Sequence, residues 1–239
     1  NKRKKKTKNK RKKNKKKIER KKTNRIRKKN SIITLLKILD QKRLIKKKYY
    51  IKVTKNIPQK SGMGGGSMNA ASILKFFLKR KIVILNKKGI LEICEMVGKD
   101  VKVGLYKGPI FLNSNNSIQK LKKGLNYHLL IFKPKIGCST KYIFSKFKKF
   151  SNKIPSNKKN LLKLENKRND LEPIVLKKLK NINKPLFFLK SLKGIEFVRM
   201  TGSGSSFVAY FKSKKNLLNA SKLFTNKYKK YWSVMSKTI

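Results

Sequence analysis

The chain has 239 residues, with 68 Lys and Arg against nine Asp and Glu, a formal charge of +59. With 38% hydrophobic residues it has enough apolar material for a core, which excludes a wholly disordered chain. Its longest apolar stretches fall far short of the roughly 18 to 20 residues that cross a bilayer, which excludes a membrane-spanning helix.

Residues 1–30 hold 20 Lys and Arg, one acid (Glu19) and only two aliphatic residues, Ile18 and Ile26. Nothing there buries a face, so a basic disordered segment is expected. No apolar stretch followed by a small-residue cleavage site accompanies the charge, and the expected location is cytoplasmic. Folding is expected from Ser31, where Ile32, Leu35, Leu36 and Leu39 recur at helical spacing. Tyr49 to Lys55 alternates Ile51 and Val53 with Lys52 and Thr54, the pattern of a half-buried strand. A glycine cluster, Gly62 and Gly64 to Gly66, leads into a helix expected from Asn69 to Arg80 with Ile73, Leu74, Phe77 and Leu78 on one face. A further helix is expected from Lys88 to Val97, stopped by Gly98, with Asp100 just after it.

Strands are expected at Pro109 to Asn113 and Tyr127 to Lys133, then a short helix from Thr140 to Phe147 capped by Ser139 or Thr140. Ser151 to Arg168 reads as loop with room for one helix. Glu172 to Lys180 and Pro185 to Leu192 read as helices. Glu196 to Met200 and Phe207 to Phe211 read as strands around the small-residue turn Thr201 to Ser206, followed by a helix at Asn216 to Phe224 and a strand at Tyr231 to Met235. Mixed elements without a repeat period imply an α+β protein.

Cys94, Cys138 and His128 are too few for a disulfide scaffold or a zinc site, so the thiols read as buried and His128 as structural. The positive charge favours polyanions through counterion release. Lys, Asn and Ile are abundant throughout, however, as expected of adenine- and thymine-rich codons. No helix-turn-helix, zinc finger or aromatic-studded strand accompanies the charge, so no specific nucleic-acid partner is expected.

Glycines entering a helix let backbone N–H groups converge on an anion at the positive end of the helix dipole. The segment is not a Walker A loop, and Ser67 stands where a dinucleotide fingerprint requires its third glycine. Asp100 is the one carboxylate that follows an expected helix end at a Gly-x-Asp turn in the middle of the folded region, which makes it the best candidate base.

Pro58-Gln59-Lys60-Ser61-Gly62-Met63-Gly64-Gly65-Gly66-Ser67-Met68-Asn69-Ala70-Ala71 resembles the ATP-binding signature of the GHMP kinases. Three further segments resemble the members that act on 4-diphosphocytidyl-2-C-methyl-D-erythritol: Gly98-Lys99-Asp100-Val101, Asn169-Asp170-Leu171-Glu172, and Met200-Thr201-Gly202-Ser203-Gly204-Ser205-Ser206. The resemblance spans residues 31–239. It implies a two-domain fold, with an N-terminal α/β domain (31–125) carrying the phosphate loop and a ferredoxin-like C-terminal domain (126–239), and the active site in the cleft between them.

The implied reaction is ATP-dependent phosphorylation of a hydroxyl of that substrate in non-mevalonate isoprenoid synthesis. The implied cofactors are ATP and Mg²⁺, with no protein metal site. Pro58, Gly62 to Asn69 and Gly202 to Gly204 would hold ATP, Asp100 would act as base, and Thr140 and Phe144 would lie beside the cytidine. A homodimer is compatible with this reading. The Ala-Lys-x-Asn strand with which the family opens has no counterpart, and Val101-Lys102 replaces the usual Val-Pro. A truncated or frame-shifted copy with an exposed sheet edge is therefore expected. The alternatives are a GHMP kinase of another acceptor, a catalytically inactive remnant, or a nonspecific polyanion binder.

Overall fold

The computed structural model describes residues 30–113, 115–122, 124–148 and 168–238. The expected disordered segment, apart from Asn30, and the Ser151–Arg168 stretch, apart from Arg168, lie outside these residues.

Helix α1 (Ser31–Gln41) starts where the composition changes. The side chain of Asn30 accepts from Ile32 N–H at 3.0 Å, satisfying one of the donors a helix start leaves open. Helix α2 (Gly65–Lys79) begins four residues earlier than its apolar periodicity indicates. Gly64, at φ 62°, turns the chain into the helix in a conformation side-chain-bearing residues avoid, and Gly65 and Gly66 already belong to the first turn. Helix α3 (Lys87–Val97) is capped by Asn86, whose side chain accepts from Gly89 N–H at 2.8 Å. A 3₁₀ turn at Lys102–Leu105 follows, which the periodicity did not indicate.

The three helices bury Leu35 and Leu39 of α1, Leu74 and Phe77 of α2, and Ile93 and Cys94 of α3 in one core. Tyr49 to Lys55 is extended and alternates in burial as expected, with Tyr49, Ile51 and Val53 against this core and Tyr50 65% exposed. It is nevertheless not a strand of either sheet among the described residues. Alternation reports a half-buried extended segment, whereas a strand also needs a partner in register. The expected strand at Pro109 to Asn113 is β1 (Ile110–Leu112), which pairs antiparallel with β2 (Ile118–Lys120). The second strand has only three residues, too few to show a period.

A second core is built on a four-stranded antiparallel sheet. Its strands are β3 (His128–Lys133), β4 (Ile195–Met200), β5 (Phe207–Phe211) and β6 (Trp232–Lys237), in the order β4-β5-β3-β6. Between β3 and β4 run α4 (Thr140–Ser145), α5 (Glu172–Lys178), a 3₁₀ turn (Lys180–Ile182) and α6 (Asn183–Lys190); α7 (Lys214–Lys227) connects β5 to β6. This order is that of a ferredoxin-like fold, as expected.

Leu130 and Phe132 of β3, Phe207 and Phe211 of β5, and Leu217 and Phe224 of α7 fill the core. The Phe132 and Phe224 rings meet at 4.9 Å. Ser213 caps α7, which starts at Lys214, two residues before the expected Asn216, and so runs longer than expected. No helix among the described residues is long and apolar enough to cross a membrane.

Candidate active site

The two cores meet around the glycine loop. Ser205 and Ser206 donate their N–H groups to Lys60 O (3.3 Å) and Ser61 O (3.1 Å), so the turn between β4 and β5 is laced to the segment leading into α2. At Gly62 the contact leaves no space for a side chain. A Cβ there would lie 2.4 Å from Thr201 O and 2.7 Å from Gly204 N, with φ at +71°. The fit is reciprocal, since a Cβ on Gly202 would lie 2.4 Å from Gly62 O. These glycines are required because two backbones touch, a demand that composition alone does not express.

A cavity of about 900 Å³ opens at this junction. Gly62 to Ser67 line it, with Pro58 before the loop and Asn69 after it. Asp100, in the turn after α3, and Thr140 and Phe144, on α4, line the same cavity, as do Gly202 and Ser203. The structure thus gathers residues spread over more than 140 positions of sequence into one space. Met68 and Gly204 are the two expected site residues outside it. Met68 packs against Gly104 of the first 3₁₀ turn, and Gly204 is buried behind the loop against Met200 and Val175.

Thr140 is not the cap of α4 that its position suggests; its hydroxyl bonds the Ser203 hydroxyl at 2.9 Å, and Ser139 makes no side-chain cap. Phe144 is 51% exposed, so it is a wall of the cavity and not part of the core. His128 does not line the cavity.

Ser31, Thr54 to Ile57 and Arg168, which belong to no quoted motif, also line it, as do Gln59 to Ser61 and Asn169 to Leu171, which stand in quoted motifs without an assigned role. Ser31 is informative. Its Oγ would lie 3.4 Å from a Cβ on Gly66, so the first turns of α1 and α2 open onto the same space. Two helix N-termini, together with Lys60 and Arg168, make the cavity suited to an anion. A chemical signal for Ser31 existed in the Asn30 cap, but nothing in the sequence placed that cap beside the glycine loop.

Lys133 and both thiols are buried. Burial pushes the Cys94 thiol up to about 11 and also raises Cys138. Both are free, as expected. Lys133 is 3% exposed and donates to Pro134 O at 2.8 Å. Its position is behind the loop, beside Gly137, which packs against Lys60.

Burial lowers the Lys133 pKa from its ordinary 10.5, and Lys60 adds to the effect. A lysine that releases its proton more readily in the folded state penalises folding fully below its lowered pKa. The penalty is relieved as pH rises from there toward 10.5. The thermal midpoint of the wild type relative to Lys133→Met is therefore expected to climb with pH across that window. Paired melting curves at a series of pH values check this, and a flat difference contradicts it.

The GHMP kinases N terminal domain model matches residues 30–110, which include α1, the glycine loop, α2 and Asp100. The 4-diphosphocytidyl-2-C-methyl-D-erythritol kinase of Pelagibacter ubique (strain HTCC1062) is 45% identical over 219 residues, covering 90% of this chain and 78% of its own length. Among solved structures, a 4-(cytidine 5'-diphospho)-2C-methyl-D-erythritol kinase superposes with a TM-score of 0.65 at 18% identity, covering 87% of this chain and 78% of that one. The homoserine kinase of Cytophaga hutchinsonii ATCC 33406 superposes almost equally well, with a TM-score of 0.64 at 17% identity over 88% of this chain and 76% of that one. The structural likeness therefore establishes the fold that both kinds share. The sequence likeness separates them, and on it the chain belongs to the 4-diphosphocytidyl-2-C-methyl-D-erythritol kinase family of the GHMP kinases.

Proposed function

We propose that the chain transfers the γ-phosphoryl group of ATP to the 2-hydroxyl of 4-diphosphocytidyl-2-C-methyl-D-erythritol, a step of isoprenoid precursor synthesis in the cytoplasm. The observation that carries the reading is the single cavity lined by the glycine loop, Asp100 and the Thr140–Phe144 face. Residues 31–125 form the nucleotide-side domain and 126–239 the ferredoxin-like one.

In this reading the N–H groups from Gly62 to Ser67 bind the ATP phosphates at the start of α2, and Gly202 and Ser203 close over them. Asp100 orients the acceptor hydroxyl and takes its proton as the oxygen bonds to the γ-phosphorus. The bond from that phosphorus to the β,γ-bridging oxygen breaks, and ADP leaves. Phe144, exposed in the wall, offers a face on which the cytosine stacks, with Thr140 beside it.

Mg²⁺ fits the donor set. No group of three His, Cys, Asp or Glu side chains that would cage a metal is found among the described residues. Kinase Mg²⁺ is instead held largely by substrate phosphates with one or two protein oxygens. Ser67 and Asp170, which line the cavity, would supply such oxygens here. When bound, the ion neutralises phosphate charge.

Mass spectrometry of purified protein incubated with ATP, Mg²⁺ and 4-diphosphocytidyl-2-C-methyl-D-erythritol tests the reading. The expected result is the 2-phosphate product. Nucleotide binding without any phosphorylated acceptor contradicts it.

A further inference from the structure

Asn169, which lines the edge of the same cavity, and Glu172 lie at the start of α5, outside both glycine-bearing loops, and four hydrogen bonds tie this segment together and to the turn after β4. The Asn169 side-chain amide donates to Met200 O at 3.0 Å and to Gly202 O at 2.8 Å, while its Oδ1 accepts from Leu171 N–H at 3.0 Å. Glu172 Oε2 accepts from Met200 N–H at 2.9 Å. Both donors of the Asn169 amide are thereby used across to the turn, and its oxygen holds the Leu171 N–H of its own segment.

Gly202, held in this way, lies directly against Gly62: a Cβ on Gly202 would lie 2.4 Å from Gly62 O, and a Cβ on Gly62 would lie 2.4 Å from the carbonyl of the preceding Thr201. Thr201 Oγ1 also donates to Gly62 O at 3.4 Å. A line of direct contacts therefore runs from Asn169 through the Met200–Gly202 turn to the first glycine of the phosphate loop. Carbonyl oxygens bound to an amide cannot swing toward a phosphate oxygen, which they would repel.

We infer that Asn169, with Glu172, is a positioning residue of the nucleotide site: it fixes the Met200–Gly202 turn against Gly62 and so sets the shape of the phosphate-binding loop without touching the acceptor. This rests on the proposed reading of the loop as the ATP site. Asn169→Ala removes both donations, each ordinarily worth a modest but measurable amount, and is expected to weaken nucleotide binding about tenfold. Asn169→Asp keeps the acceptor for Leu171 N–H, and with it the local turn, but sets a carboxylate against two carbonyls; the same loss is expected.

The test is titration of each variant with a fluorescent ATP analogue, alongside thermal melts and separate KM values for ATP and acceptor. The inference predicts weaker analogue binding in both Asn169 variants and a raised KM for ATP, with the acceptor KM changed by less than about twofold. Should Asn169→Ala fail to fold, Asn169→Asp decides. Unchanged analogue affinity in a folded Asn169 variant, or equal loss toward ATP and acceptor, overturns the inference. Analogue binding needs no acceptor, so if the wild type binds it but phosphorylates nothing, the functional reading fails while the positioning role is still decided.

Discussion

Asp100→Asn is expected to lower kcat by about 10² to 10⁴ while leaving ATP affinity close to that of the wild type. The amide is nearly isosteric with the carboxyl but cannot accept the hydroxyl proton, so the loss falls on the chemical step. Asp100 sits in the exposed turn between α3 and the first 3₁₀ turn, and the backbone there is held by Val101 N–H to Gly98 O at 2.9 Å. The fold does not depend on the charge. Steady-state rates with a nucleotide titration check this; a rate within about threefold of wild type removes Asp100 from the chemistry.

Gly62→Ala is expected to have the next largest effect. At φ +71° any side chain costs about 1 to 2 kcal/mol of backbone strain. Here the added carbon also lies 2.4 Å from Thr201 O, a backbone atom that cannot rotate away. The β4–β5 turn must part from the loop, and the hydrogen bonds from Ser205 and Ser206 to Lys60 and Ser61 are strained with it. ATP affinity is expected to fall at least about tenfold, and the thermal midpoint is expected to drop. Gly65→Ala is the stability control, because a Cβ there meets nothing within 4 Å and its φ is helical. Its midpoint should match the wild type. Equal behaviour of the two variants contradicts the contact argument.

The sequence exposed the parts of this molecule that depend on local pattern. Apolar spacing located α1, α3 and α7 because each turns one face to a core. Glycine and small-residue clusters located the loop before α2 and the turn after β4, since those backbones cannot carry side chains. What remained hidden depends on partners far along the chain. Tyr49 to Lys55 has a strand's alternation without a strand's ladder, and β2 is too short to show a period. Thr140 looks like a cap, but its hydroxyl is taken by Ser203, 63 residues away.

Within the site, the resemblance to the GHMP kinases picked out residues that the cavity gathers, and it missed in both directions for one reason. Motifs are contiguous in sequence, whereas a cavity wall is not. Met68 and Gly204 fall within motifs yet face inward to packing contacts, while Ser31 and Arg168 line the wall from outside any motif. Asn169 stood in a recognised element, but only its bonds to Met200 and Gly202 give it a task.

The most direct test of the account is a crystal structure of the protein with a non-hydrolysable ATP analogue and 4-diphosphocytidyl-2-C-methyl-D-erythritol bound together. The account predicts the analogue's phosphates on the N–H groups of Gly62 to Ser67, the cytosine against Phe144, and the 2-hydroxyl within hydrogen-bond reach of an Asp100 oxygen. Phosphates seated away from that loop, or an acceptor hydroxyl facing any group other than Asp100, would contradict it.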